Sequence, residues 1–174
     1  MIPSTTGPRV VLVGPMGAGK TTVAALLGEA WRLPVRDTDA DIEAAEGRSI
    51  SDIFVDEGEE HFRALERAAV AEALASHDGV LALGGGAVLD PTTRDRLADH
   101  PVVFLRVGLS DAVSRVGLGV GRPLLLGNVR ARLKSLLDER TPLYQSVASH
   151  TVDTDGRTPE HVAAEVRHLL EGTR

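Results

Sequence analysis

The segment that most constrains the fold of this chain is a glycine-rich stretch at residues 14–21, which reads GPMGAGKT. It matches the phosphate-loop pattern G-x-x-x-x-G-K-[ST] at every fixed position. The apolar run before it, Val10–Val13, predicts a buried strand, and residues 22–30 carry apolar side chains at helical spacing. A strand, a tight loop and a helix in this order direct backbone N–H groups at one anion. A glycine-rich turn that only packs is the alternative, and the agreement of motif and context favours nucleoside triphosphate binding.

Each residue type in this loop suits phosphate binding. Gly17 and Gly19 allow the backbone to close around a phosphate oxygen where a Cβ atom would intrude. Lys20 is expected to reach the outer phosphates, and the hydroxyl group of Thr21 is expected to ligate Mg²⁺. The predicted ATP-binding residues of the loop are Gly17, Ala18, Gly19, Lys20, Thr21 and Thr22.

Predicted strands and helices alternate along the chain, which favours an α/β fold with a parallel sheet covered by helices. The predicted strands are residues 10–13, 34–36, 80–83, 102–106 and 151–153. The predicted helices are residues 22–30, a short one ending near 46, 50–54, 59–76, one opening at 91, 110–116, one from 129 that bends or ends near Pro142, and one from 159 to about 170. No repeat or linker divides residues 1–174, so we expect a single domain.

Charge and composition argue against several classes of partner. A formal net charge of −6 gives no attraction to nucleic acid or to acidic membranes, and 3% aromatic residues provide no platform for stacking bases. The absence of cysteine excludes disulfides and thiolate metal sites and is typical of a reducing cytoplasm. The six histidines have no metal-ligand spacing, and the first eight residues lack a secretion signal. We expect a cytoplasmic monomer.

Carboxylates and glycines follow two of the predicted strands, at the edge of a parallel sheet where ligands bind. Asp37 and Asp39 come after the second strand, and residues 84–86, all glycine, come after the third. One carboxylate suits Mg²⁺ binding through water, and the other suits accepting a proton from a hydroxyl nucleophile. Two simpler alternatives stay open: Asp39 caps the next helix, and the glycines form a flexible turn.

Two arginines lie in contexts that allow either a functional or a plain surface role. Arg63 and Glu66 lie three residues apart in a predicted helix and share a face, as a surface ion pair or as part of a site. Arg122 lies in the segment 117–128, GLGVGRPLLLGN, which shows neither helical nor strand periodicity. Long segments of this kind are often functional. As a lid the segment would bring Arg122 onto phosphates; otherwise Arg122 is one solvated cation.

Six short segments together resemble shikimate kinase. They are GPMGAGKTT from residue 14, DTD at 37–39, FRALE at 62–66, GGGAV at 84–88, GRPLL at 121–125 and ERTPLY at 139–144. They occur in the family's order and span nearly the whole chain. The resemblance implies the nucleoside-monophosphate-kinase fold, with a five-stranded parallel sheet, a mobile lid at about 117–128 and a substrate-binding helical region at about 38–66. It also implies transfer of the γ-phosphoryl group of ATP to the 3-hydroxyl of shikimate, on the route to aromatic amino acids.

The same resemblance implies roles for residues that would contact the acid substrate. Asp39 would bind the reacting hydroxyl and act as the base, and Asp37 would hold Mg²⁺ through water. Arg63 and Arg140 would clamp the carboxylate, with Glu66 orienting Arg63. The other implied substrate-binding residues are Phe54, Phe62, Gly84, Gly85 and Gly86. Both of these phenylalanine rings are also expected in the core.

For the nucleotide, the resemblance places Arg122 over the phosphates, beside Lys20, as a second cationic catalytic residue. The implied adenine-flanking residues are Arg115, Arg157 and Pro159. Two departures from the family pattern concern the same region. Ala82 occupies a strand position where relatives often carry a hydroxyl near the metal, and the lid segment is rich in glycine, with Arg122 as its only cation.

Two other functions remain to be weighed. The nearer one is a kinase of the same fold that acts on gluconate or a nucleoside monophosphate, and the FRALE, GRPLL and ERTPLY segments argue against it. The more distant one is an ATP-binding protein without catalysis. The presence of Lys20, Thr21, Asp37, Asp39 and Arg122 disfavours this second alternative, because a protein that only binds nucleotide needs no base.

Overall fold

The computed structural model describes residues 7–120 and 126–172, and its strands and helices alternate as predicted. The strands are β1 (Val10–Val13), β2 (Val35–Asp37), β3 (Val80–Ala82), β4 (Val102–Arg106) and β5 (His150–Asp153). The helices are α1 (Lys20–Trp31), α2 (Thr38–Glu46), α3 (Ile50–Glu57), α4 (Glu59–Ser76), α5 (Pro91–Leu97), α6 (Leu109–Val120), α7 (Leu126–Val147) and α8 (Pro159–Glu171). A 3₁₀ turn, Ala87–Leu89, precedes α5.

The five strands form one parallel sheet in the order β2-β3-β1-β4-β5. β1 lies between β3 and β4, so the phosphate loop leaves the centre of the sheet. In the register, Ala82 pairs with Leu12 on one side and with Asp37 on the other. The ends of β1, β2 and β3 are therefore level at one edge of the sheet. The prediction of a five-stranded parallel α/β fold is confirmed.

Alternation along the central strands divides the core into two layers, because successive side chains of a strand point to opposite faces. Val10 and Leu12 pack on one face with residues of α1 and α8. Val11 and Val13 pack on the other face with residues of α4, α5 and α7. All four side chains are at most 1% exposed, which explains why the strand reads as a continuous apolar run rather than an alternating one.

A third and smaller apolar cluster lies beside the sheet, among α2, α3 and α4. Its buried members are Ile42, Ile53 and Phe62. This cluster fixes the three helices of the predicted substrate-binding region against each other. Within this region Ser49 caps α3, since its hydroxyl accepts a hydrogen bond from the Asp52 N–H at 3.1 Å.

Several predicted boundaries were wrong. α6 runs to Val120 and α7 begins at Leu126, so both ends of the segment 117–128 are helical; residues 121–125 lie outside the described part of the chain. Val113 and Val116 of α6 pack against the core, and this tertiary contact outweighs the low helix propensity of the glycines that follow. α7 also continues through Pro142, so of the two predicted alternatives, a bend or an end at this proline, the end is wrong.

Within residues 7–120 and 126–172, no helix combines the length and the apolar character needed to cross a membrane.

Candidate active site

The phosphate loop joins β1 to α1 in the predicted geometry. Gly17 and Gly19 take the left-handed backbone conformation, with φ angles of 84° and 88°, which glycine adopts at no steric cost. Gly19 is the N-cap of α1, and no described side chain caps this helix end. Its first N–H groups are therefore available to an anion, which is the arrangement found where helices bind phosphate.

Lys20 lies against the loop rather than in solvent. Its Nζ atom donates hydrogen bonds to the carbonyl groups of Gly14 at 2.7 Å and Pro15 at 3.0 Å. Burial lowers the pKa of Lys20 to about 8, although the negative charges of Asp39 and Asp37 act in the opposite direction. A phosphate group beside the ammonium would favour the charged form, because opposite charges at close range stabilise each other.

Asp37 uses its two carboxylate oxygens differently. Oδ1 accepts hydrogen bonds from the N–H groups of Asp39 at 2.9 Å and Ala40 at 3.2 Å, so Asp37 is the N-cap of α2. The simpler alternative that Asp39 caps the next helix is wrong, because α2 begins at Thr38, directly after β2. Oδ2 lies 3.5 Å from the Thr21 hydroxyl, so a carboxylate and a hydroxyl oxygen face the same space.

Asp39 projects from the first turn of α2 into a buried environment. Burial raises the pKa of its carboxyl group, and the neighbouring negative charge of Asp37 raises it further, while Lys20 acts in the opposite direction. A carboxylate with a raised pKa is a stronger proton acceptor. Its Oδ1 atom is buried and has no hydrogen-bond partner within the described residues.

The glycine turn, Gly84–Gly86, leaves β3 and touches a different predicted site residue at each of its positions. A Cβ atom on Gly84 would clash with the Asp39 carboxylate, and one on Gly86 would clash with the Arg63 guanidinium. A Cβ atom on Gly85 would lie 3.7 Å from Arg140 Nη1, an ordinary contact. A side chain at the first or third position would therefore displace a charged group of the site.

Arg63 is held from α4 by a buried partner. Its Nη1 atom donates to Glu66 Oε1 at 2.8 Å, and Glu66 is only 3% exposed. Burial raises the pKa of Glu66, while the hydrogen bond and charge of Arg63 act against this shift. A second carboxylate, Glu59, lies 3.4 Å from Nη2. The Nε atom of Arg63 is buried without a hydrogen-bond partner within the described residues.

Arg140 reaches the glycine turn from α7 and lies beside Tyr144. Its Nε atom is also buried without a hydrogen-bond partner among the described residues. One turn further along α7, the Tyr144 hydroxyl donates to the Gly85 carbonyl at 2.6 Å. Burial raises the pKa of Tyr144 to about 12, so the phenol keeps its proton and remains a donor at neutral pH.

Phe54 and Phe62 form an aromatic wall beside Arg63. Their ring centroids are 4.9 Å apart, and the Arg63 guanidinium carbon lies 5.9 Å and 5.4 Å from the two centroids. These distances allow cation–π attraction, which holds the guanidinium in place without using its N–H groups. Phe62 is part of the core, as expected, and both rings also line the cleft.

These groups surround one cleft with a volume of about 670 Å³. It is lined by Met16, Gly17, Gly19, Lys20, Thr21, Thr22, Asp37, Asp39, Ile50, Phe54, Glu59, Phe62, Arg63, Glu66, Leu83, Gly84, Gly85, Gly86, Leu136 and Arg140. A volume of this size suits a small-molecule substrate. Within the described residues, no group of three or more His, Asp or Glu side chains is arranged to hold a metal ion.

A second and smaller cleft, of about 230 Å³, lies on the other side of the phosphate loop. It shares Gly19 and Thr22 with the first cleft. The whole lining is Ala18, Gly19, Thr22, Val23, Arg115, Thr154, Arg157, Pro159 and Val162. A ligand that occupies both clefts must therefore pass over the N-terminus of α1.

Arg115 connects this second cleft with the phosphate loop. Its Nη1 atom donates to the Gly17 carbonyl at 2.8 Å and to the Thr154 hydroxyl at 3.2 Å, and Nη2 donates to the Thr154 carbonyl at 3.0 Å. Arg157 instead donates to the Asp153 carbonyl and to Glu165. The guanidinium of Arg115 thus ties the wall of the smaller cleft to the loop.

The structure brings together most of the residues that the sequence singled out, with two differences. Arg122 and the centre of the proposed lid lie outside the described residues, so their role stays a prediction. Gly84 lines the cleft, but its N–H group donates to the Thr38 hydroxyl at 3.2 Å and is not directed at a ligand. Gly84 contributes by having no side chain, which leaves room for the Asp39 carboxylate.

Three residues that line or support the clefts were not predicted from the sequence. Thr38, Tyr144 and Thr154 are almost fully buried, and each uses its hydroxyl group to hold a loop at the site. Their partners lie 46, 59 and 48 residues away in the chain. Tyr144 was visible as the last letter of ERTPLY, but nothing local in the sequence indicates what its hydroxyl contacts.

Comparison with known proteins gives a consistent result. Residues 16–171 match the model of a family described as shikimate kinase. The chain is 63% identical to the shikimate kinase of Salinispora arenicola, over 94% of this chain and 98% of that protein, and 60% identical to that of Thermobifida fusca, over 90% and 91%. A solved structure, a shikimate kinase from Acinetobacter baumannii in complex with shikimate, superposes with a TM-score of 0.89 at 35% identity. That superposition covers 98% of this chain and 96% of the other.

Proposed function

Because the chain belongs to the shikimate kinase family, and is therefore an ATP-dependent kinase that phosphorylates shikimate, we propose that the transfer takes place in the 670 Å³ cleft. Shikimate occupies the side of this cleft formed by α2, α4 and the glycine turn. ATP lies across the phosphate loop, with its γ-phosphoryl group toward Asp39. The products are shikimate 3-phosphate and ADP.

The observation that carries this proposal is a set of three buried polar atoms. Asp39 Oδ1, Arg63 Nε and Arg140 Nε have no hydrogen-bond partner within the described residues, and all three residues line the same cleft. Buried polar groups are rarely left unpaired, since each unpaired group destabilises the fold by roughly 1–3 kcal/mol. One acceptor opposite two guanidinium groups matches a ligand that carries a hydroxyl at one end and a carboxylate at the other.

Arg63 and Arg140 bind the carboxylate of shikimate in this proposal. A guanidinium group presents a planar fork of donors that fits a carboxylate, and it stays charged at any physiological pH. Glu66 and the two phenylalanine rings fix Arg63 before the acid arrives, so less freedom is lost on binding. The N–H groups of Gly85 and Gly86 remain candidates for additional contacts.

The nucleotide spans the two clefts. The adenine occupies the smaller one, between Arg115 and the Arg157–Pro159 segment, and the phosphates lie on the loop and the N-terminus of α1. Lys20 contacts the β- and γ-phosphates. We propose that Arg122 approaches the same phosphates when the segment 117–128 closes as a lid, and that this closure excludes water, which would otherwise accept the phosphoryl group.

The donor set beside the phosphate loop fits a magnesium ion. Thr21 and Asp37 Oδ2 offer two hard oxygen ligands, and Mg²⁺ in kinases is usually held by one or two protein oxygens together with phosphates and water. We propose that Thr21 ligates the ion and that Asp37 holds it through water. When bound, the ion supplies positive charge that stabilises the transferring phosphoryl oxygens.

The transfer itself needs little covalent chemistry from the protein. Asp39 accepts the proton of the 3-hydroxyl as the hydroxyl oxygen bonds to the γ-phosphorus, and the bond from the γ-phosphorus to the bridging oxygen breaks to release ADP. Lys20 and the N-terminus of α1 stabilise the charge on the phosphoryl oxygens. The residues act mainly by alignment, since both reactants are held in one cleft before the reaction.

A substrate panel tests this function directly. The protein is incubated with ATP and Mg²⁺ together with shikimate, gluconate, CMP or AMP, and ADP release is measured. Of the four acceptors, we expect only shikimate to give ADP release above background. Equal or faster release with gluconate or a nucleotide would assign the protein to a different kinase activity, and no release with any of them would favour a nucleotide-binding role.

The hydroxyl group of Thr21 provides a test of the magnesium site. We expect Thr21→Ala to raise the Mg²⁺ concentration needed for half-maximal turnover by about 10-fold or more, an effect comparable to the loss of other groups that support a metal site. Thr21→Ser keeps the hydroxyl and serves as the matched control, with a Mg²⁺ requirement near that of the wild type. An identical Mg²⁺ titration for Thr21→Ala and the wild type would contradict the assignment.

The close packing of Gly86 against Arg63 gives a second prediction. We expect Gly86→Ala to raise the KM for shikimate by about 10-fold or more, because the new methyl group displaces the guanidinium and small displacements in a site have large effects. The KM for ATP should stay near the wild-type value, since Gly86 does not line the smaller cleft in which the adenine is placed. An unchanged KM for shikimate in steady-state kinetics would show that the position of Arg63 does not matter.

We also propose that the enzyme works in the cytoplasm as a monomer without nucleic acid or membrane partners. The acidic net charge of −6, the lack of cysteine and the use of ATP support this setting.

A further inference from the structure

The glycine turn, Gly84–Gly86, passes close to Asp39, Arg140 and Arg63 in succession. Its own position therefore determines how the predicted base and the two arginines are arranged around a substrate. Two hydroxyl groups from different helices hold this turn. They belong to Thr38 at the start of α2 and Tyr144 near the end of α7.

Thr38 connects the turn to the base. Its side chain is fully buried, and its hydroxyl oxygen accepts a hydrogen bond from the Gly84 N–H at 3.2 Å. Asp39 is the next residue in the chain, and its carboxylate occupies the space that a Cβ atom on the same glycine would need. The Thr38 hydrogen bond thus fixes the distance between α2 and the end of β3 at the point where Asp39 enters the cleft.

Tyr144 connects the turn to the arginine side of the cleft. Its hydroxyl group donates to the Gly85 carbonyl at 2.6 Å, and its ring is fully buried, with its centroid 5.0 Å from that of Phe104 in β4. Arg140 lies one helical turn earlier on α7, over Gly85. The hydrogen bond of Tyr144 therefore fixes α7, and Arg140 with it, relative to the same turn.

We propose that Thr38 and Tyr144 are positioning residues. Their hydrogen bonds hold the glycine turn from two sides and set the spacing between the base and the carboxylate-binding arginines. This inference rests on the proposed function of the cleft and extends it. Neither hydroxyl group touches the substrate in this account. Thr38 acts through Asp39 and thus on turnover, whereas Tyr144 acts through Arg140 and thus on the binding of the acid.

The two residues should affect different kinetic constants. We expect Thr38→Val, which keeps the shape and removes the acceptor, to lower kcat by about 10-fold or more, because a small misplacement of a reacting group can lower the rate by up to about 100-fold. Thr38→Ser keeps the hydroxyl and should stay within about twofold of the wild type. Tyr144→Phe should raise the KM for shikimate by about 5-fold or more with a smaller change in kcat, since it removes the hydrogen bond that holds α7 against the turn.

Two further variants separate positioning from general stability. Thr93→Val removes a hydroxyl from another buried threonine, in the first turn of α5 and outside both clefts, and should leave kcat and both KM values unchanged. The double variant Thr38→Val/Tyr144→Phe should lose less kcat/KM than the product of the two single losses, because both residues act on one turn and coupled sites are not additive. Melting temperatures of all variants identify any that do not fold.

The experiment is steady-state kinetics of these variants with shikimate and ATP, run beside the wild type and Asp39→Asn. Any one of three results would overturn the proposal. They are a wild-type kcat in Thr38→Val, a loss of kcat in Thr38→Ser equal to that in Thr38→Val, and a loss of kcat/KM in the double variant equal to the product of the two single losses. Should Thr38→Val not fold, Tyr144→Phe decides the question by its KM for shikimate, and an unchanged value overturns the proposal. A wild-type protein inactive with shikimate would refute the proposed function instead, so the two failures are distinct.

Discussion

Replacing Asp39 with asparagine is expected to lower kcat by about 10²- to 10⁴-fold, the range that a positioned general base usually contributes. The amide keeps the size of the carboxylate but cannot accept the proton of the 3-hydroxyl. The buried setting that raises the pKa of Asp39 also makes the lost group a stronger base than an exposed carboxylate would be. The affinity for ATP should stay within about twofold of the wild type, because Asp39 does not line the smaller cleft in which the adenine is placed.

The matched control for this variant is Asp41→Asn. Asp41 lies on the same helix two residues further on, but its carboxylate pairs with Arg36 Nε at 2.8 Å instead of lining the cleft. We expect it to retain wild-type turnover. Single-turnover kinetics with shikimate measure the rate of transfer, and calorimetry with ATP measures the affinity for the nucleotide. Equal turnover in Asp39→Asn and the wild type would show that Asp39 is not the base.

Removal of the Arg63 guanidinium should have its main effect on the acid substrate. We expect Arg63→Ala to weaken shikimate binding by about 2–5 kcal/mol, the range found when one partner of a buried charge pair is truncated. Two effects add in this variant. The shikimate carboxylate loses a forked donor, and Glu66 is left as a buried carboxylate without its 2.8 Å partner. Calorimetric titration with shikimate gives the affinity, and an unchanged Kd would refute the carboxylate clamp.

Arg67→Ala is the control on the same helix. Arg67 lies one turn beyond Arg63 and pairs with Asp90 at 2.5 Å, with about half of its side chain exposed. Ion pairs of this kind contribute only about 0–1 kcal/mol, so we expect the affinity for shikimate to be unchanged. A similar loss of affinity in both variants would indicate a general effect on α4 rather than a specific contact of Arg63.

The fold could be predicted largely from local patterns. β1 (Val10–Val13), β4 (Val102–Arg106) and α4 (Glu59–Ser76) have the bounds that the sequence indicated. A fully buried strand reads as a continuous apolar run, and a long amphipathic helix carries a helical period. Which carboxylate caps α2 was not predictable, since Asp37 and Asp39 are equally good capping residues and nothing local distinguishes them. The structure assigns the cap to Asp37.

The site was predictable as a set of residues but not as an arrangement. Arg63 and Glu66 were paired from their spacing, and the glycine turn was assigned to the strand end, where it lies. What the sequence did not contain is how Thr38 and Tyr144 hold this turn, because both contacts join positions that are distant in the chain. Long-range hydrogen bonds follow from the packing of whole elements, and no short motif encodes them.

A crystal structure of the protein with ADP, Mg²⁺ and shikimate tests the central claim most directly. We expect the carboxylate of shikimate to be bound by Arg63 and Arg140, and its 3-hydroxyl to lie within about 2.6–3.2 Å of an Asp39 oxygen, on the side that faces the β-phosphate. Shikimate bound elsewhere, or bound with its 3-hydroxyl away from Asp39, would contradict it.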